Sequence, residues 1–242
     1  MFNYKMTIQY DGTEYAGWQI QENALTVQEV ISNSVKQILQ QEINLIGAGR
    51  TDAGVHALGQ VANFMYYKEL DMQKFQYSLN SVLPRDISIT IIEQVDDIFH
   101  SRYSAKKRAY IYLISERKSP FFDRYSYTHF SEMDMEKLNK LSLTFIGEKD
   151  FTSFSKNNPD VQNKVCEVFE ARWRKQKNLL IFYIEANRFL YGMVRTIVGT
   201  LIKTYTQENA TDMLKNIFDQ KDRSFAADAA PAKGLFLYKV KY

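Results

Sequence analysis

At 242 residues, 45% hydrophobic and 14% aromatic, the chain can build a sizeable core as one large domain or two small ones. Its formal net charge of +3 argues only weakly for a nucleic-acid partner, and the single cysteine, Cys166, excludes an internal disulfide and a cysteine-based metal cluster. His56, His100 and His129 lack metal-ligand spacing, no apolar run reaches membrane-span length, and the first residues carry no signal-like apolar stretch, so a cytoplasmic, metal-free protein is expected.

Tyr4, Met6, Ile8 and Tyr10 alternate with Lys5, Thr7 and Gln9, the period of a strand with one wet face. A helix should start at Thr26, because Thr26-x-x-Glu29 is a capping box and Val27, Val30, Ile31, Val35, Ile38 and Leu39 form a helical stripe. The apolar run from Leu45 to Ala48 and the strand-like run from Gln60 to Met65 then flank nine residues, Gly49-Arg50-Thr51-Asp52-Ala53-Gly54-Val55-His56-Ala57. Here a lone carboxylate sits between a cation and a glycine, in a loop with room for a ligand to approach the main chain. The Arg50 guanidinium can pair with that carboxylate or with a phosphate. Pairing would keep Asp52 ionised, which suits a nucleophile or base. On spacing alone the same residues also describe an Asx turn beside a solvated arginine. A helix from about Asp71 to Leu83, stopped by Pro84, and a strand from Ile87 to Val95 complete the split βαβ order.

The second half repeats that order of elements without a residue-level repeat. Tyr110 to Ser115 reads as a strand, Met135, Leu138, Leu141 and Phe145 mark a helix, and Val165 to Arg174 and Leu179 to Glu185 read as strands. Helices are expected from about Phe189 to Tyr205 and from about Thr211 to Phe218, then a strand from Leu235 to Tyr242. In the first of those helices Leu190, Met193, Val194, Ile197, Val198 and Leu201 make the core stripe. Arg195 lies on a different line, with Gly192 and Gly199, and a carboxylate or phosphate should meet its guanidinium. Between Ser101 and Tyr125 stand seven cations, Arg102, Lys106, Lys107, Arg108, Arg117, Lys118 and Arg124, against Glu116 and Asp123. They are interleaved with Tyr103, Tyr110, Tyr112, Phe121 and Phe122, a mixture able to hold phosphates and stack on bases. The division expected is 1–100 and 101–242.

Six segments, in order, carry a resemblance to a known family. Gly47 to Ala57 with Gly59-Gln60-Val61 resembles the catalytic loop of the tRNA pseudouridine synthase A (TruA) family. Tyr10-Asp11-Gly12-Thr13-Glu14-Tyr15-Ala16-Gly17-Trp18-Gln19 resembles its opening segment. Leu83 to Ile87, Phe99 to Ala105 leading to Tyr110, Asn187 to Arg195, and Ala229 to Leu235 resemble later ones. The resemblance implies an α+β fold of two similar split βαβ halves, forming a continuous, mainly antiparallel sheet with helices on one face and a central active-site cleft. It implies isomerisation of uridine to pseudouridine at positions 38, 39 and 40 in the anticodon stem-loop of tRNA, with no cofactor, by a homodimer.

By the same resemblance Asp52 is the nucleophile, Arg195 its ion-pair partner, Tyr110 the ring that packs on the target base, and Leu235 an apolar pocket wall. Arg50 would then hold RNA phosphate, with Arg102, Lys106, Lys107 and Arg108 as further RNA contacts. Whether Asp52 adds to C1′, adds to C6 or assists glycal formation is open at this level. A non-catalytic RNA-binding module of the same fold and a carboxylate-dependent N-glycoside hydrolase are the alternatives. The second would need an acid partner that no motif supplies.

Overall fold

The computed structural model describes residues 1–159 and 161–242. In chain order the elements are β1 (Phe2–Tyr10), α1 (Val27–Leu39), β2 (Ile46–Gly47), β3 (His56–Tyr66), α2 (Met72–Val82), β4 (Ile87–Val95), β5 (Lys107–Ser115), β6 (Tyr127–Thr128), α3 (Met135–Ser142), β7 (Gly147–Asp150), β8 (Val165–Gln176), β9 (Leu179–Ala186), α4 (Met193–Thr204), α5 (Ala210–Gln220) and β10 (Leu235–Lys241). The fold is α+β, and the chain divides into two compact units, 1–106 with 236–242, and 107–235. Most of the last strand, expected with the second half, thus groups with the first unit.

In the first unit β1 lies antiparallel between β3 and β4, with Tyr4 opposite Phe64 on one side and Gln94 on the other. The other edge of β3 takes β10 in parallel at His56 and Ala57, and β2 antiparallel at Ala62 and Asn63. Alternation puts Tyr4, Met6 and Ile8 on the buried face. Phe64 joins Tyr4 at 5.7 Å between ring centroids, and Phe75 of α2 covers Phe64 at 6.0 Å. The Thr26 hydroxyl caps α1 by accepting from the Glu29 N–H. The other face is closed by polar bonds. The Asn3 side chain donates to the carbonyls of Asp96 and Phe99, Asn63 donates to Asn3 at 3.0 Å, and Ser101 N–H donates to Asn63 at 2.9 Å.

In the second unit β9 pairs antiparallel with β5 and β8, and β8 with β7. Tyr112, Phe182 and Trp173 align across three strands, and Trp173 donates its indole N–H to Ser142 at the end of α3. Phe145, Phe151, Phe154 and Phe218 close the core beneath α5. The helix expected from Phe189 starts later, at Met193, because Gly192 adopts φ 72°, outside the right-handed helical region, and becomes its N-cap. Gly192 therefore does not lie on the Arg195 face inside the helix. No helix among the described residues is long and apolar enough to cross a membrane.

Candidate active site

The loop from Gly49 to Val55 is held by side chains and main chain on both flanks. Ala48 N–H donates to the Val61 carbonyl at 2.7 Å, and the fully buried Gln60 amide donates to the Gly49 carbonyl at 2.9 Å. Thr51 is buried, and its hydroxyl shares a 2.7 Å hydrogen bond with the Tyr10 hydroxyl at the end of β1. The Asp52 carbonyl accepts from Val55 N–H at 3.1 Å, closing a turn, and Gly54 N–H reaches the Tyr15 carbonyl. Asp52 itself is half-buried.

The segment from Tyr10 to Trp18 forms the bed of this loop. Trp18 N–H donates to the Thr51 carbonyl at 3.1 Å. Gly17, at φ 102°, lies so close beneath Thr51 to Ala53 that an added Cβ would stand 2.5 Å from the Thr51 carbonyl oxygen. Tyr15 donates its hydroxyl to Asp86 at 2.8 Å. Burial, reinforced by that carboxylate, pushes the Tyr15 hydroxyl well above the ordinary tyrosine range, so it stays protonated. The His56 ring, stacked 4.6 Å from Phe236, has the Gly12 N–H at 3.0 Å and an Asp11 oxygen at 3.1 Å from the same Nδ1. The same Asp11 oxygen accepts from Thr13 N–H and Oγ1, which ties the start of this segment to the His56 ring.

Arg50 is exposed and makes no hydrogen bond or ion pair with any described residue, so it does not pair with Asp52. Its guanidinium is open to a ligand.

In the second unit Tyr110, Tyr112 and Ile114 occupy one face of β5. Tyr110 is buried, with the Phe189 ring edge-on at 5.0 Å. Tyr112 is fully buried and donates its hydroxyl to the Pro231 carbonyl at 2.8 Å. Burial raises its pKa far above the usual range, and the neighbouring Arg195 charge offsets this only in part. Arg195 is latched to the same segment twice. Its Nε donates to the Ala230 carbonyl at 2.7 Å, and Ala230 N–H donates to the Arg195 carbonyl at 2.9 Å. Gly199 makes this possible, since a Cβ there would lie 2.0 Å from the Asp228 carbonyl oxygen. Thus residues 228–231 bring Arg195 and Tyr112 together, and they lead directly into the buried Leu235.

The basic segment is heterogeneous. Arg102 is exposed, with its guanidinium 5.7 Å from the Tyr103 ring. The Lys106 side chain is exposed, while its N–H donates to the Lys241 carbonyl. Arg108 is half-buried and donates to the Asn187 carbonyl at 3.0 Å. Lys107 is engaged within the protein: its ammonium lies 3.9 Å over Phe169 and 3.6 Å from the buried Glu185 carboxylate, which also accepts from the Tyr183 hydroxyl. Among the supports, residue chemistry alone does not single out Tyr10, Thr51, Gly17, Tyr112 and Ala230. Their signal is sequence context, since all but Tyr112 fall within the segments that carry the family resemblance.

Comparison with known proteins matches residues 6–104 and 142–242 to the family model described as tRNA pseudouridine synthase. The chain is 41% identical over 244 residues to the tRNA pseudouridine synthase A of Thermoanaerobacter sp. (strain X514), with all of both chains covered. It is 41% identical over 241 residues to that of Bacteroides fragilis, covering 99% of this chain and 96% of the relative. It is 39% identical over 244 residues to that of Clostridium acetobutylicum, again with full coverage of both.

Proposed function

The chain belongs to the tRNA pseudouridine synthase family, and from that premise we propose that it isomerises uridine to pseudouridine at positions 38, 39 and 40 of the tRNA anticodon arm, with Asp52 as nucleophile. The observation that carries the site is the Asp52 loop itself, a half-buried aspartate on a main chain fixed from both sides by Gln60, Tyr10 and Trp18.

The reaction breaks the bond from N1 to C1′, turns the uracil and joins C5 to C1′. The C5 proton leaves and N1 gains one, so no redox change or net hydrolysis occurs. That chemistry asks for one ionised carboxylate, a closed pocket that retains the detached base, and a proton carrier. In this reading Asp52 attacks the target nucleotide or stabilises its opened sugar, and Arg195 keeps it ionised and oriented. Tyr110 stacks on the base, Leu235 walls the pocket, and Arg50 holds phosphate. The double latch on Ala230 supports the role of Arg195, because it fixes the orientation of the guanidinium through Nε. The target uridine must leave its stack to enter, so recognition rests on backbone and shape, with Arg102, Lys106 and Arg108 as candidate contacts. The protein acts in the cytoplasm as a homodimer.

Tritium release from tRNA carrying 5-labelled uridine tests the whole reading. Wild-type protein should release label from intact tRNA, and Asp52→Ala should not. Freed uracil would indicate an N-glycoside hydrolase instead. Wild-type-like release by Asp52→Ala would remove Asp52 from the mechanism, and a single monomer mass in light scattering at micromolar concentration would sink the dimer.

A further inference from the structure

The second unit carries a recess of about 470 Å³, where the end of β5 and the following loop meet the turn between β8 and β9. Arg117, Lys118 and Lys177 line it, with Ser115, Phe122 and Asn178 among the others, and no acidic residue contributes to its wall. The acids close by in sequence are already occupied. Glu116 takes the Lys175 ammonium at 2.9 Å, and Asp123 takes Lys233 at 3.1 Å. By contrast Arg117, Lys118 and Lys177 are exposed and form no hydrogen bond, ion pair or ring contact through their side chains among the described residues. The surface thus concentrates three uncompensated cations, while the nearby Lys175 and Lys233 are neutralised in pairs.

Aromatic surface accompanies the charge. Phe122 is 49% exposed and Phe121 84% exposed. Their loop is ordered by its own bonds: Phe122 and Asp123 N–H donate to the Ser119 carbonyl, and Tyr125 N–H and the Ser126 hydroxyl donate to the Phe122 carbonyl. The wall is fixed as well, because Glu116 N–H donates to the Asn178 carbonyl and the Ser115 hydroxyl donates to the Arg117 carbonyl. Cations carried on an ordered main chain beside exposed rings suit a ribose-phosphate strand with an accessible base. An acidic peptide would use the charge and leave the rings without a purpose. Five residues of β5 separate Ser115 from Tyr110, which at the rise of a strand is roughly 17 Å. RNA held here is several nucleotides from a base stacked on Tyr110.

We propose that this recess binds the backbone of the substrate tRNA outside the anticodon arm, with Arg117, Lys118 and Lys177 on phosphates and Phe122 under an exposed base. This rests on the isomerase reading above. The test compares wild type with the triple variant Arg117→Gln, Lys118→Gln, Lys177→Gln on full-length tRNA and on an isolated anticodon arm. Tritium release gives kcat and KM, and fluorescence anisotropy gives binding against salt. On full-length tRNA, KM should rise about tenfold at unchanged kcat, and the slope of log binding constant against log salt should fall by about 2–3, one counterion step per lost phosphate contact. On the arm, KM should not move, and its retained kcat shows that the variant is folded. Phe122→Ala should weaken full-length binding about fivefold or more with the salt slope unchanged. An unchanged KM and slope on full-length tRNA would overturn the proposal, as would an equal loss on the isolated arm. If wild-type protein released no label from either RNA, the isomerase reading would fail, and anisotropy would still judge the surface.

Discussion

Gly17 is the position where one methyl group should uncouple stability from catalysis. In Gly17→Ala the new Cβ stands 2.5 Å from the Thr51 carbonyl oxygen and 3.2 Å from the Asp52 carbonyl carbon. Ordinary contact lies at roughly 3.5 Å, so the Thr51 to Ala53 main chain must retreat by roughly 1 Å. That path strains the Trp18 to Thr51 hydrogen bond and carries Asp52 with it. A misplacement of this size in a catalytic group costs on the order of 10²-fold in rate. The residue also sits at φ 102°, where alanine costs about 1–3 kcal/mol, a fall in thermal midpoint of a few to about ten degrees for a chain of this size.

Gly147 supplies the control, because at φ 96° it carries similar backbone strain while a Cβ there meets nothing within 4 Å. Both alanine variants should therefore lose stability in thermal unfolding, Gly17→Ala the more because the clash with the Thr51 carbonyl adds to the shared backbone strain. Only Gly17→Ala should lose kcat in the tritium-release assay, with KM for tRNA changed by less than about threefold, since the change moves Asp52, the proposed nucleophile, and not the proposed RNA contacts. If Gly17→Ala melts lower yet keeps wild-type kcat, the bed beneath the loop does not position Asp52.

Three further outcomes follow from single contacts. Arg195→Lys keeps the charge but cannot reproduce the Nε bond to Ala230, so kcat should fall about tenfold or more; combined with Asp52→Asn it should add almost nothing, because both act on one step. Tyr112→Phe removes the bond to the Pro231 carbonyl and should cost about 1 kcal/mol, read by urea unfolding, with kcat reduced only as far as residues 228–231 loosen around Arg195. Burial acts to raise the Asp150 carboxyl, but bonds from Thr152 and Lys221 outweigh it and leave the pKa below its ordinary value. A depressed native pKa gives stability that is present above the ordinary range and lost as pH falls through the native value. Asp150→Asn should therefore melt lower at neutral pH, with the gap to wild type closing as pH drops below about 4. A gap that stays constant with pH would remove the ion from the argument.

The elements are largely legible in the sequence because each rests on a local pattern. The alternation at Tyr4 to Tyr10, the helix cap at Thr26 and the stop at Pro84 all reappear in the fold. The start of α4 is not, because the apolar stripe continues back to Leu190, while the decision to begin at Met193 belongs to one left-handed glycine. β6 and β7 escape notice for a related reason: Tyr127-Thr128 and Gly147 to Asp150 are short and have no apolar alternation, and they are strands only because β5 and β8 offer them partners. Among the candidate site residues, Asp52 and Arg195 announce themselves by charge in apolar or glycine-rich company. Lys107 counts equally with its neighbours in any charge tally, and nothing local reveals that Phe169 and Glu185 engage it.

What side-chain chemistry cannot reach is that both charged candidates are positioned through main-chain carbonyls. Asp52 is set by the Thr51 carbonyl resting on Trp18 N–H, and Arg195 by the Ala230 carbonyl under its Nε. A carbonyl is present at every residue and leaves no mark in composition or spacing. The visible mark lies opposite, in the glycines that let one chain press on another. Gly17 admits the Thr51 to Ala53 backbone, and Gly199 admits Asp228 and with it Ala230. Gly192, which the sequence places on the same line as Arg195, has only the Lys156 side chain within 4 Å of an added methyl and serves the helix start instead. Of the two glycines flanking Arg195, Gly199→Ala should therefore be the one that lowers kcat. Gly192→Ala should lower the thermal midpoint through its φ of 72° and leave the latch, and the rate, in place.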